Sequence, residues 1–204
     1  MSSLFIDRGN MMEKLVKQIK DRNLSLVVLG SGYVGLPTAV LFANVGFHVT
    51  AIDVRAEVVK AVNSGISPIN EPELKELISR NVKAGRLKAS LSSDENLKQA
   101  DAVIISVQTP IYKNKKPNLS FLRKALEDVA NAIKKEMLIV LSSTIPPGAM
   151  QNAVKPKLES LSDLKAEIDF YLEYVPERIS PGNAIKEFVE SPRLVGGIGP
   201  NSTK

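Results

Sequence analysis

The chain of 204 residues contains no cysteine. That excludes disulfides, thiolate metal sites and a cysteine nucleophile from this chain. Histidine occurs once, as His48. A histidine-rich metal site and a histidine-dyad mechanism are therefore excluded as well, and His48 reads as a partly exposed residue at the entry of a strand. No apolar stretch approaches the length of a membrane span. Met1 to Lys20 lacks the apolar core of a secretory signal, so the expectation is a cytoplasmic protein without a membrane partner. The net charge of +5 is scattered. Its densest cluster, Lys113, Lys115 and Lys116 beside Asn114 and Pro117, has no aromatic interleaving and reads as a solvated loop, so no nucleic-acid partner is expected.

What is present has the balance of a globular domain, 44% hydrophobic and 24% charged. Its most informative stretch runs from Leu24 to Asp53. An apolar run, Leu26 to Leu29, ends in Gly30, Gly32 and Gly35, spaced G-x-G-x-x-G. An apolar helical segment follows, and then a second short strand pattern stopping at Asp53, 18 residues past Gly35. This is the dinucleotide-binding fingerprint in its strand–turn–helix–strand context. Gly30 permits the tight turn, Gly32 lets a pyrophosphate approach the backbone, and Gly35 lets the helix pack close on the strand. The helix N-terminus offers free N–H groups and the positive end of its dipole to phosphates. Asp53 can accept hydrogen bonds from an adenosine ribose.

Around this stretch, strand and helix patterns alternate. Met11 to Asn23 reads as an amphipathic helix, with Met12, Leu15, Val16 and Ile19 on one face, able to cover a sheet edge. Further helices are expected over Arg55–Ser64, from Pro72 at its first position to about Lys83 (with the Ser67–Leu74 stretch before it a plain helix start or a ligand-facing loop), over Asp94–Gln99, Asn118–Lys134, after Gly148 to about Glu159, and near Ile185–Val189. Strands are expected at Leu87–Leu91, Ala102–Val107, Met137–Leu141, Ile168–Tyr174 and Arg193–Gly196. The order predicts an α/β fold, a doubly wound, mainly parallel, Rossmann-like sheet with helices on both faces. The expected division is an N-terminal helix over residues 1–23 and a cofactor domain over 24–198. Residues 199–204, with Gly199-Pro200-Asn201-Ser202-Thr203, read as helix-capping residues that start a linking helix whose body is missing, and the chain is expected to be a fragment.

In an open parallel sheet, ligands bind beyond the carboxyl ends of the strands. Three further strand ends carry candidate residues. Gln108-Thr109-Pro110 offers a hydroxyl to a ribose or phosphate, or is a plain turn. In Ser143-Thr144-Ile145-Pro146-Pro147-Gly148, Thr144 either faces the crevice or, like Ser143, caps the next helix. In Pro176-Glu177-Arg178 the carboxylate can take a proton and the arginine can hold an anion, or the two form a surface pair.

Together, Gly30 to Pro37, Ser67-Pro-Ile-Asn-Glu-Pro72, Val107 to Pro110, Ser143 to Gly148 and Pro176 to Gly182 resemble the N-terminal domain of the UDP-glucose/GDP-mannose dehydrogenase family. The resemblance covers about Leu26 to Gly197. Pro-Glu-Arg-x-x-Pro-Gly is similar to the branch acting on UDP-N-acetylhexosamines, UDP-N-acetyl-D-mannosamine above all. The UDP-glucose branch has a second acid where Pro181 stands. The resemblance implies oxidation of a sugar C6 alcohol to a carboxylate with two NAD, on a UDP-sugar, in a homodimeric full-length protein. By similarity Tyr33, Val34, Asp53, Thr109 and Thr144 contact NAD. Thr144 and Glu177 face the reacting carbon, with Glu177 assisting proton and water handling, and Arg178 and Ile179 line the sugar-nucleotide site.

The family also uses a cysteine nucleophile and a lysine from a later part of the chain, so this chain alone is expected to bind NAD without turning over. Two positions depart from the pattern. Val58 stands where a basic residue is frequent, and Arg55 either substitutes for it or raises tolerance for a 2′-phosphate. Gln108 replaces a frequent proline. A UDP-glucose-type dehydrogenase, a hydroxyacid or 6-phosphogluconate-type dehydrogenase and a non-catalytic NAD-binding module are the alternatives. The 6-phosphogluconate type leaves the Pro176 to Gly182 segment unexplained.

Overall fold

A computed structural model describes residues 12–203 of the chain. Among the described residues one seven-stranded sheet runs in the order β3-β2-β1-β4-β5-β6-β7. The strands are β1 Ser25–Leu29, β2 His48–Ile52, β3 Leu87–Ser90, β4 Ala102–Ile105, β5 Leu138–Leu141, β6 Tyr171–Tyr174 and β7 Gly196–Gly197. The first six pair in parallel, and β7 adds an antiparallel edge to β6. His48, the first residue of β2, is exposed.

Alternation along the strands divides the core in two. Val27, Leu29, Val103, Ile105, Ile139, Leu141 and Leu172 face one side, where α5 Asp94–Gln99, α6 Ser120–Ala130 and α7 Lys155–Ser162 cover them. Leu26, Val28, Val49, Ala51, Ala102, Ile104 and Tyr171 face the other. There they meet α1 (residues 12–20), α2 Gly35–Asn44, α3 Ala56–Asn63, α4 Leu74–Lys83 and α8 Ala184–Glu190. Both faces are apolar on the strands, which is why these strands read as continuous hydrophobic runs. No helix among the described residues is long and apolar enough to cross a membrane.

Several boundaries differ from the sequence expectation. Of the expected first helix, Met11 lies outside the described residues and α1 ends at residue 20. Leu15 is buried, Val16 is exposed, and Lys14 pairs with Glu136, just before the interior strand β5, at 2.9 Å. The helix therefore does not simply cover a sheet edge. Pro72 is not the first residue of α4. Glu73, at φ 63°, turns the chain and α4 begins at Leu74. α6 is shorter than Asn118–Lys134, although Leu119 and Ile133, outside it, still pack on the same core. The helix after Gly148 opens with a π-helical turn, Met150–Val154, before α7. Pro156 at the start of α7 explains this, because it cannot donate to residue 152 and its ring would strike that carbonyl.

Leu36, fully buried on α2, reports how far the fold depends on that helix. Leu36→Ala should lower the unfolding free energy by about 2–5 kcal/mol in denaturant titrations while leaving far-ultraviolet dichroism unchanged.

Candidate functional site: the carboxyl edge of the sheet

The strand order turns sequence-distant loops into neighbours. Reading along the carboxyl edge, β2 delivers Asp53, β1 the Gly30–Gly35 turn, β4 Thr109, β5 Thr144 and β6 Glu177. The chain leaves β1 for β2 on one side and reaches β4 on the other, so the crevice opens at the reversal of strand order.

The three glycines have separate roles. Gly30 sits at φ 95°, its N–H donating to the Ile52 carbonyl at 2.8 Å, and a Cβ there would collide with the Ser106 carbonyl on β4's exit. A Cβ on Gly35 would overlap the Gly30 carbonyl oxygen, so α2 can start this close to β1 only without a side chain. At Gly32 a Cβ would meet nothing within 4 Å. The space above that residue is open on the ligand side. Among the described residues, the N–H groups of Gly32, Tyr33 and Val34 have no backbone acceptor at the head of α2. This fits a pyrophosphate. Tyr33 is exposed beside it and Val34 half-buried.

Asp53 is 7% exposed at the end of β2. Oδ2 accepts from the Ser31 N–H at 2.9 Å, and Oδ1 from the Arg55 N–H at 3.0 Å. The Arg55 guanidinium adds a fork, Nε to Oδ1 at 2.9 Å and Nη2 to Oδ2 at 3.0 Å. Burial pushes the carboxyl up, but the Arg55 side chain, the two backbone N–H groups and the Arg55 charge together hold it below its ordinary value.

Ser143 is buried and caps no helix. Its Oγ donates to the Val107 carbonyl at 2.7 Å, bolting the exit of β5 to the exit of β4. Thr144 is thereby left exposed at the crevice, and Thr109 lies half-buried two residues beyond the bolted carbonyl. Thr144 caps no helix either, since the next helical turn is preceded by Ala149 without a side-chain cap.

The Glu177 side chain is only 9% exposed. Its carboxylate accepts from the Arg178 N–H at 2.8 Å and pairs with Arg193 Nη1 at 3.2 Å. Arg193 lies at 3.7 Å over the Phe188 ring of α8, which meets Phe42 of α2 edge-on at 6.3 Å. Arg178 is exposed and Ile179 half-buried. Sequence reasoning assigned no role to Arg193, which lies before β7 rather than in a strand. It also missed Glu71. That buried carboxylate accepts from the Gly182 N–H at 2.5 Å and the Ala184 N–H at 3.3 Å, tying the Pro176–Gly182 segment and the head of α8 to the approach of α4. The Asn70-Glu71-Pro72 setting was the available signal, and it reads either as a helix start or as a ligand-facing loop.

On β6, burial alone pushes the Glu173 carboxyl up. The lysine cluster lies in an exposed loop closed by an Ile111–Pro117 bridge. Residues 199–203 form bends and a turn. Ser202 Oγ accepts from the Leu172 N–H at 3.0 Å, and the Glu167 carboxylate accepts from the N–H groups of Asn201 and Ser202. No group of three or more His, Cys, Asp or Glu able to hold a metal occurs among the described residues.

Fold and site define a Rossmann-type dinucleotide-binding domain. Residues 24–204 match the UDP-glucose/GDP-mannose dehydrogenase family, NAD binding domain. The chain belongs to that family. It is 40% identical over 175 residues to the UDP-N-acetyl-D-mannosamine dehydrogenase of Pyrococcus horikoshii, a match covering 86% of this chain and 41% of that protein. It is 34% identical over 186 residues to the NDP-N-acetyl-D-galactosaminuronic acid dehydrogenase of Ralstonia nicotianae, covering 88% and 43%. The solved structure of the UDP-D-ManNAc dehydrogenase from Pyrococcus horikoshii superposes with a TM-score of 0.84 at 39% identity, covering 88% of this chain and 42% of that one. The chain spans about two fifths of the length of these relatives.

The glycine geometry separates folding from binding. Gly35→Ala should destabilise by about 1–3 kcal/mol through overpacking. Gly32→Ala should leave the melting temperature unchanged yet weaken NAD binding in calorimetry; equal loss of stability in both variants would contradict the assignment. Glu173 gives a pH test. Its folded-state pKa is raised, so the folded chain holds a proton that the unfolded chain releases, and stability falls as pH rises through that window. Glu173→Gln should therefore melt higher than the parent at pH 7 and equally at a pH below about 4, where both states are protonated.

Proposed function

We propose that this chain is the cofactor-binding part of a nucleotide-sugar 6-dehydrogenase that oxidises the C6 alcohol of a UDP-N-acetylhexosamine to the carboxylate, with UDP-N-acetylmannosamine as the substrate. The observation behind this reading is the spatial order Asp53, Gly30–Gly35, Thr109, Thr144, Glu177 along one sheet edge. The Pro176 to Gly182 segment and the names of the relatives support the choice of sugar.

When bound, NAD supplies the hydride acceptor. The chain's own residues then divide the work. The N–H groups of Gly32, Tyr33 and Val34 hold the pyrophosphate, and Asp53 accepts from the adenosine ribose. Thr109 and Thr144 reach the cofactor's other half, and Thr144 also faces the sugar carbon. Glu177 takes the proton that each oxidation step releases, directly or through water, with its carboxylate oriented by Arg193 and the Arg178 N–H. The Arg178 and Ile179 side chains line the sugar nucleotide. The proposal places the enzyme in the cytoplasm as a homodimer. Since no cysteine is present in this chain, the 204 residues alone bind NAD without turnover.

Two measurements test this. Titration calorimetry on the chain should show NAD binding, and its absence would refute the reading as a whole. The protein extended through its downstream reading frame should form two NADH per UDP-N-acetylmannosamine. Oxidation of UDP-glucose alone would overturn the choice of sugar.

A further inference from the structure

Asp53 is the residue proposed to accept from the adenosine ribose, yet its carboxylate is already saturated. A carboxylate offers about four acceptor positions. The Ser31 and Arg55 N–H groups take two, one on each oxygen, and the Arg55 guanidinium takes the other two. The backbone pair belongs to the turn after β2 and stays. The two positions left for ribose hydroxyls are those that the Arg55 fork fills.

The fork can be displaced. The Arg55 side chain is 50% exposed, against 7% for Asp53. Water reaches the guanidinium but not the buried acid, so the arginine can turn out to solvent provided that other donors, such as ribose hydroxyls, take its place on Asp53. Arg55 forms no side-chain cap for α3, and besides Asp53 it feels the charge of Glu57 in the first turn of that helix. Once released, it remains tethered two residues from the acid, at the rim where the ribose 2′-oxygen arrives. There it is placed to meet a 2′-phosphate, for which a planar guanidinium is the preferred partner.

We infer that Arg55 is the residue that sets cofactor discrimination in this site. It competes with the ribose of NAD for Asp53, and it offers a counter-charge to the 2′-phosphate of NADP that Asp53 alone repels. The chain therefore prefers NAD by a smaller margin than an unpaired aspartate would impose. This inference rests on the reading of the crevice as a dinucleotide site.

The test is titration calorimetry of NAD and NADP on the 204-residue chain and on Arg55→Ala and Arg55→Lys. The expected signs cross. Arg55→Ala should bind NAD about threefold more tightly, since the ribose no longer has to displace the guanidinium from Asp53, and NADP at least about fivefold more weakly, from loss of a charge-assisted contact. Arg55→Lys, which keeps the charge without the planar fork, should resemble Arg55→Ala toward NAD and fall between parent and Arg55→Ala toward NADP. Affinities that move in the same direction for both cofactors, or do not move, overturn the inference and leave the dinucleotide reading intact. Failure of the parent chain to bind either cofactor overturns both.

Discussion

Gly35 lies against the carbonyl of Gly30, and no side chain fits between them. That contact sets the angle and depth at which α2 enters, and the same turn presses Gly30 against Ser106 after β4. Three elements therefore meet at one point where only backbone fits. The head of α2 is held over the gap between β1 and β4, with its N–H groups turned to the crevice. The buried face of α2, from Leu36 to Ala43, then organises the whole core on its side of the sheet.

Two carboxylates flank this centre, and each is held by an arginine. Asp53 is held from two residues away, through a side chain half open to water. Glu177 is held from 16 residues away by Arg193, itself stacked on Phe188 and less exposed. The first pair is local and exchangeable. The second is set into packing that extends through Phe188 to Phe42 on α2. The ribose side of the crevice is thus adjustable, whereas the side proposed for chemistry is braced.

The elements were legible wherever a pattern is local. The buried runs of β1, β4 and β5 and the amphipathic spacing of α6 appear in the sequence because strand alternation and helical period are short-range properties. α5 was expected over Asp94–Gln99 and spans those residues. The π-helical turn is not legible in the apolar spacing, because its cause is the missing N–H and the ring of Pro156 rather than a change in period. Glu73 entered the left-handed region although nothing in its type favours that. In the site, the glycines and Asp53 were readable from spacing. Ser143, Glu71 and Arg193 were not, since each acts on a partner that only the sheet order brings near. Ser143 looked like a cap and serves as a bolt between strands.

The Glu71 carboxylate has a meaning for how the chain folds. It joins Gly182 across 111 residues, and β3, β4, β5 and β6 all lie between the two ends. Closing a loop of that length is slow and entropically unfavourable until intervening contacts shorten it. The segment bearing Glu177 and Arg178 therefore depends for its position on a contact that is entropically favourable only when the intervening strands are in place.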